Sequence, residues 1–371
     1  MENFLDRMNA VRQYSKSVRA SEYHITNACN IRCHGCWFFA HEFDKPGTKS
    51  GKEVPNLEAL EQFILKERQR GINTALLIGG EPTLFPDRVA AYVKHMENVT
   101  ISSNGLKALP VEGFEKVNVA VTLFGGLHSD DSMRAIKPGG KRFTGLFETA
   151  LRNYRDDRRT IFIYAVTPRL AAEVEPTVER IIENGNMLSF NFYHDYSDED
   201  AVDGASTELL DVLLKMKEKY PDRIASHPVH ARAIVTGETH FGKFGYENCP
   251  SISSDYEGNR ERLANGKKYL PKFNAWAADL ETVLKCCTSG ECKSCRDSQA
   301  VFSWLLVSAE HFMSSPEQLA TWVEIAESYW AQFTWSPYSL YLKMPPVTRS
   351  AERPAQVHLP VLSSTDVART A

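Results

Sequence analysis

Ser21-Glu-Tyr-His-Ile-Thr26, followed closely by Cys29-Asn-Ile-Arg-Cys33-His-Gly-Cys36, is the stretch whose reading decides the fold. Residues 21–26 carry the β-branched and aromatic types of a strand, so the cysteines fall in the loop that leaves it. Their spacing, C-x-x-x-C-x-x-C, lets three sulfurs converge from a single loop. The count of three is informative. A cubane cluster has four irons, so three thiolates leave one iron open to bind a ligand directly. A closed electron-transfer cluster or a structural zinc site normally takes four protein ligands. Zinc or ordinary buried thiols are the blander alternatives.

Outward from this loop the chain alternates short β-rich runs with longer amphipathic segments, as repeated βα units around a parallel sheet require. Six strands are predicted, at residues 21–26, 74–78, 99–103, 117–123, 161–167 and 188–194. Helical apolar spacing occupies 56–70, 86–97, 144–156 and 173–184. A further helix is predicted over 206–220, with Ser206 or Thr207 as its cap and Leu209, Leu210, Leu213, Leu214 and Met216 on its apolar side. Residues 225–300 are richer in Gly, Cys and turn residues, which suggests a small region held by metal, and 301–333 turn helical again. The organisation expected is an N-terminal extension (1–20), a core (21–222), a cysteine-rich and helical region (223–344) and a loose, proline-containing tail (345–371).

Further motifs sit at predicted strand ends. Gly79-Gly80-Glu81-Pro82 follows the second strand, Ser102-Ser103-Asn104-Gly105 ends the third, and Thr122 lies near the end of the fourth. Alone, Gly-Gly-x-Pro is common turn chemistry. Together with the cysteine loop, the ordered set resembles the radical S-adenosylmethionine (SAM) superfamily over roughly residues 21–195. The resemblance implies an α/β fold, a partial (β/α)6 barrel of the radical SAM type with a small cysteine-rich C-terminal domain similar to the twitch type. It implies a 4Fe-4S cluster on Cys29, Cys33 and Cys36 whose open iron chelates the amino and carboxylate groups of SAM. Gly79, Gly80, Glu81 and Pro82 would then receive the methionine amino group, and Ser102, Ser103, Asn104 and Thr122 would supply polar contacts. An electron from a donor such as flavodoxin or ferredoxin breaks the sulfur–C5′ bond. The 5′-deoxyadenosyl radical abstracts hydrogen in a water-poor cavity. The chain departs from the family at Gly35, where an aromatic residue usually precedes the third cysteine; Trp37, one residue later, is expected to replace it in part.

Five further cysteines, Cys249, Cys286, Cys287, Cys292 and Cys295, offer one distant ligand, a vicinal pair and a C-x-x-C. They are expected to hold a second iron–sulfur cluster through Cys249, Cys292, Cys295 and one of the vicinal pair, Cys287 being assigned to the set. Structural zinc and unmetallated thiols are the alternatives. Vicinal cysteines rarely point at one small site, so one of Cys286 and Cys287 is left spare. By similarity to some radical SAM epimerases and dehydratases, it would deliver a hydrogen atom to a substrate radical.

With 371 residues, 43% hydrophobic and 24% charged, the chain can bury a sizeable core. A net charge of −4 offers no broad basic surface for nucleic acid. Mixed charges at the N-terminus and the want of a long apolar run predict a cytoplasmic protein without a membrane span. Eight cysteines in such a chain point to metal or redox chemistry.

His194, Asp195 and Tyr196, with Tyr164, Thr167 and Arg169, end the last two predicted strands and are candidate substrate contacts, His194 and Asp195 as catalytic groups. Arg134, Lys137, Lys141 and Arg142 read as a solvated Gly-rich connection, with anion binding as the alternative. The aromatic run Trp322, Tyr329, Trp330, Phe333, Trp335 and Tyr338 reads as helix packing.

The function expected is hydrogen abstraction from a small polar metabolite, a sugar, nucleoside or carboxylate, in a biosynthetic pathway. A maturase of a ribosomal peptide is one alternative. Another is an adenosyl-transferring enzyme acting on an apolar substrate, loosely similar to the Lys-Cys-x-x-Cys pattern of hopanoid enzymes; compare Lys285 and Glu291-Cys292-Lys293-Ser294-Cys295. Only about 20 residues precede the core, too few for a cobalamin domain.

Overall fold

A computed structural model describes residues 2–43, 45, 51–196, 206–288, 290, 292 and 295–333. All six predicted strands form, with ends shifted by one or two residues: β1 (Ala20–His24), β2 (Thr74–Ile78), β3 (Asn98–Ser103), β4 (Val117–Leu123), β5 (Thr160–Val166) and β6 (Met187–Phe192). They pair in parallel and in chain order, the arrangement a partial (β/α)6 barrel takes. The outer edge of β1 is covered by the strand Ala275–Trp276, parallel to it, which in turn pairs antiparallel with Val283–Leu284. These two-residue strands are too short to show a period in sequence.

Helices cover the sheet where the apolar spacing placed them. Leu57–Arg70 starts at Asn56, whose side chain accepts from the Ala59 amide at 2.8 Å, and Thr207–Lys219 starts at Ser206, which accepts from Leu209 at 3.1 Å. Their buried residues, among them Leu60, Ile64, Leu209 and Leu213, join one apolar core with Tyr23, Leu77, Ile101 and Val119 from the strands. That core continues without a break into the cysteine-rich region through Phe273, Ala275, Leu284, Phe302 and Trp304.

The helix Pro316–Phe333 lies against the first helix, Glu2–Ser17. Arg7 donates twice to Glu327, at 2.9 and 2.7 Å, and Tyr14 meets Trp330 edge-on with centroids 5.0 Å apart. Trp322 donates to the Leu306 carbonyl at 3.1 Å, and Tyr329 and Trp330 are buried. This part of the aromatic run packs helices, as its spacing suggests. Trp335, Tyr338 and residues 345–371 lie outside the described residues.

Candidate functional site

Alternation along each strand sends one set of side chains to the helices and the other into the barrel. The inward set, Glu22, Thr100, Ser102, Thr122, Ala165 and Asn191 among others, lines a cavity of about 310 Å³ that also reaches Cys29, Cys33, Cys36, Gly79, Gly80, Trp37 and His194. On β5 the same alternation turns Tyr164 outward into the core, 1% exposed, and puts Ile163 and Ala165 in the cavity instead. Tyr164 is therefore not a substrate contact, and Arg169 is exposed beyond the strand.

The cysteine loop is clamped from three sides. From β2, Gly80 donates to the Thr26 carbonyl and Glu81 to the Ala28 carbonyl, both at 2.8 Å. A Cβ at Gly80 would lie 2.0 Å from the Ala28 oxygen, and one at Gly79 2.4 Å from the Thr26 oxygen, so only glycines allow this approach. From the segment after β4, the Met133 and Ile136 carbonyls accept from the His34 and Arg32 amides, each at 2.7 Å. From the end of β6, Asp195 meets His34 at 3.1 Å and the Tyr196 amide donates to the Gly35 carbonyl at 3.3 Å.

The third clamp accounts for Gly35. Its φ is +64°, and a Cβ there would stand 2.6 Å from Tyr193 Oη and 2.8 Å from the Asp195 Cα. Packing by β6 has taken the space an aromatic side chain would need. Trp37 lines the cavity and turns its ring edge toward His24 and Phe43.

Glu81 is buried and already saturated. Its carboxylate accepts from the Thr83 amide (3.0 Å), Thr83 Oγ1 (2.7 Å), Ser103 Oγ (3.0 Å) and the Asn104 amide (2.7 Å), tying the end of β2 to the end of β3. Burial raises its pKa, and those donors oppose the shift. Pro82 opens the short 3-10 turn that Glu81 caps. Asn104 donates to Asn30 Oδ1 at 2.7 Å inside the cysteine loop, while Ser102 and Thr122 line the cavity.

Arg134 corrects its sequence reading. It ends an unexpected helix, Leu127–Arg134, and is 1% exposed. Its guanidinium binds both oxygens of Asp130 at 3.1 Å and the Asn104 carbonyl at 2.7 Å, and it lies beside Cys33. The signal was present as the Asp130–Arg134 spacing of one helical turn. Lys137, Lys141 and Arg142 are exposed, as expected.

Burial raises the thiol pKa of Cys29, and that of Cys33 to about 12, the Arg134 charge pulling Cys33 back down. Among the described residues no three His, Cys, Asp or Glu side chains are closed up tightly enough to hold a metal ion as they stand. The three loop sulfurs nevertheless share one cavity with the glycine turn beside them, a donor set that fits an iron–sulfur cluster with one open position.

The second cysteine group gathers where the C-terminal region meets β1. Cys249, Cys286, Cys292 and Cys295 surround a small pocket, and Thr288 Oγ1 stands 3.9 Å from the sulfurs of both Cys286 and Cys295. Burial raises the thiol pKa values of Cys249, Cys286 and Cys295, that of Cys286 to about 11; neighbouring thiols add to the shift, and at Cys295 the Asp297 charge adds more than they do. Cys287 reaches both pockets, and beyond burial its thiol is raised chiefly by Asp297, with Glu22 contributing.

Residues 23–184 match the radical SAM superfamily. The match takes in the cysteine loop and the glycine turn that packs on it. GTP 3′,8-cyclase of Alkaliphilus metalliredigens (strain QYMF) is 26% identical over 122 residues, covering 29% of this chain and 36% of that protein. GTP 3′,8-cyclase of Alkaliphilus oremlandii (strain OhILAs) is 27% identical over 139 residues, covering 34% of this chain and 41% of that protein. The chain thus matches less than half the length of these curated relatives. The solved structure of native anSMEcpe with bound AdoMet aligns at a TM-score of 0.46 and 13% identity over 85% of this chain and 88% of that one. Among the described residues no helix is long and apolar enough to cross a membrane.

Proposed function

We propose that this enzyme reductively cleaves SAM and abstracts hydrogen from a small polar metabolite in a biosynthetic pathway. The observation that carries the reading is a single cavity lined both by the three loop cysteines and by the polar and acidic side chains Glu22, Asn191, Asp297 and Gln332. When bound, cluster and SAM supply a 5′-deoxyadenosyl radical. Cys29, Cys33 and Cys36 would hold the cluster, Gly79 and Gly80 let the turn after β2 pack on the cysteine loop, and Ser102 and Thr122 would supply polar contacts to SAM. Glu81, Asn104 and Arg134 position the loop. Trp37, Phe38 and Phe39 wall the cavity against water, which a reactive radical needs. The polar wall favours a small polar substrate over a precursor peptide or an apolar acceptor.

The second cysteine group supports an auxiliary iron–sulfur cluster on Cys249, Cys286, Cys292 and Cys295, with Cys286 taking the place assigned to Cys287 from the sequence. Cys287 then stays a thiol on the substrate side. Giving its hydrogen to a substrate carbon radical would form a C–H bond and leave a thiyl. One electron from a flavodoxin- or ferredoxin-type donor and one proton restore the thiol. His194, 9% exposed on the cavity wall, is a substrate contact in this reading, whereas Asp195, paired with His34, is a positioning residue.

The test is anaerobic reconstitution followed by SAM and dithionite. Release of 5′-deoxyadenosine is expected, and a loaded enzyme that releases none would refute the reading.

A further inference from the structure

Glu22 is an inward residue of β1 and is 4% exposed, yet its Oε1 has no hydrogen-bond partner. A carboxylate buried without a donor or cation is strongly disfavoured, so a side chain in this state is built to meet something that enters the cavity. Strand register sets Glu22, Leu76 and Thr100 at one level of the sheet, a pleat deeper than His24 and the loop beyond it.

Asp297 lines the same cavity from the C-terminal region. Its Oδ1 accepts from the Ala300 amide at 3.1 Å, capping the helix Ser298–Val307, and its Oδ2 accepts from Asn191 Nδ2 at 3.5 Å. Neither neighbour is a cation. Among the described residues lining the cavity, the one Lys or Arg is Arg134, already bound by Asp130 and Asn104. Two acidic side chains therefore stand against the substrate space; Asp297 is met by the amide end of its helix, and no free Lys or Arg among the described lining residues answers Glu22.

We infer that Glu22 and Asp297 form a seat for a protonated amine, and that the substrate is a small amine, not a carboxylate or a phosphate ester. This rests on the hydrogen-abstraction reading and narrows its substrate class. A cationic head seated between two carboxylates would regain, by charge-assisted hydrogen bonds, what it loses on leaving water. An anion would meet uncompensated repulsion in a low-dielectric space. A nucleoside triphosphate, the class named in the curated relatives, would find no free guanidinium or ammonium among the described lining residues. With the amine held there, the rest of the molecule extends past Cys287 toward the cysteine loop.

The experiment uses the reconstituted holoenzyme with SAM, anaerobically, and three matched probes: 2-aminoethanol, 1,2-ethanediol and glycolate, followed by ligand-observed NMR. The amine is expected to bind at least about tenfold more tightly than the diol, a difference of about 1.4 kcal/mol, and glycolate more weakly than either. Glu22→Gln should abolish the preference. Asp297→Asn should reduce it while keeping the helix cap, since Asn also caps. Iron content and Tm of each variant report folding. Should both variants fail to fold, the ranking of the three probes on the wild type still decides. Equal binding of the three, no binding of 2-aminoethanol, tighter glycolate, or a preference that survives both substitutions would overturn the inference. 5′-Deoxyadenosine release measured on the same wild-type sample keeps the two readings apart. Its absence with the amine preference intact sinks hydrogen abstraction and leaves the seat standing.

Discussion

An alanine at position 35 would bring its Cβ to 2.6 Å from Tyr193 Oη and 2.8 Å from Asp195, on a backbone already at φ +64°. Gly35→Ala is therefore expected to cost about 2 kcal/mol or more and to lower iron loading, read by urea unfolding and iron assay. Unchanged iron would mean that the β6 clamp does not shape the loop. The vicinal cysteines give a second residue-level expectation. Cys286→Ser should remove about half the iron if the chain holds two four-iron clusters. Cys287→Ser should keep the iron and lower product formation; the reverse pattern would exchange their roles. The cysteine spacing and the glycine pair were legible because covalent geometry alone restricts them. Which of two adjacent thiols faces which pocket was not, since that depends on the turn at Thr288 and on Asp297, ten residues on. Arg134 reads as solvated from the sequence because its helix is short and its burial is set by Asp130 and Cys33 in three dimensions.

At the scale of elements, the β1–β6 strands and their covering helices follow from period and capping. Ser206 caps Thr207–Lys219 through the Leu209 amide at 3.1 Å. Ser206→Ala should lower stability by about 1 kcal/mol in denaturant titration and leave iron content unchanged. A larger loss, or loss of iron, would show that this helix does more than cover the sheet. The strands Ala275–Trp276 and Val283–Leu284 carry no such signal. They exist because β1 has an open edge whose amides and carbonyls need partners, a demand that only the folded sheet makes.

For the molecule as a whole, burial of uncharged histidine gives a pH signature. His230 is fully buried, stacked on Phe302 at 3.6 Å and hydrogen-bonded to Ser298 at 3.2 Å. Burial lowers its pKa from 6.5 to about 3, with the charge of His227 adding to the shift and Ser298 opposing it. Between those values the unfolded chain binds the extra proton, so this residue's contribution falls as pH drops from 6.5 toward 3, by up to about 1.4 kcal/mol per pH unit. The buried acids Glu22, Glu81, Asp130 and Asp297 are shifted upward and act in the opposite sense, favouring the fold at low pH and losing that contribution as pH rises. The difference in slope between wild type and His230→Gln isolates the histidine. Equal slopes in urea unfolding across this range would contradict its neutral burial.

The amino-acid order by itself determined the parallel strands, their helices and the three-cysteine loop, because periodicity, caps and short-range spacing are local properties. It singled out five later cysteines as a candidate metal-binding group and assigned Cys287 to the set on spacing alone. Only the tertiary structure put Asp297 and Glu22 on one cavity, turned Tyr164 out and Ile163 in, and buried Arg134 beside Cys33. Those outcomes depend on which groups lose water together, and residues far apart in sequence decide that jointly.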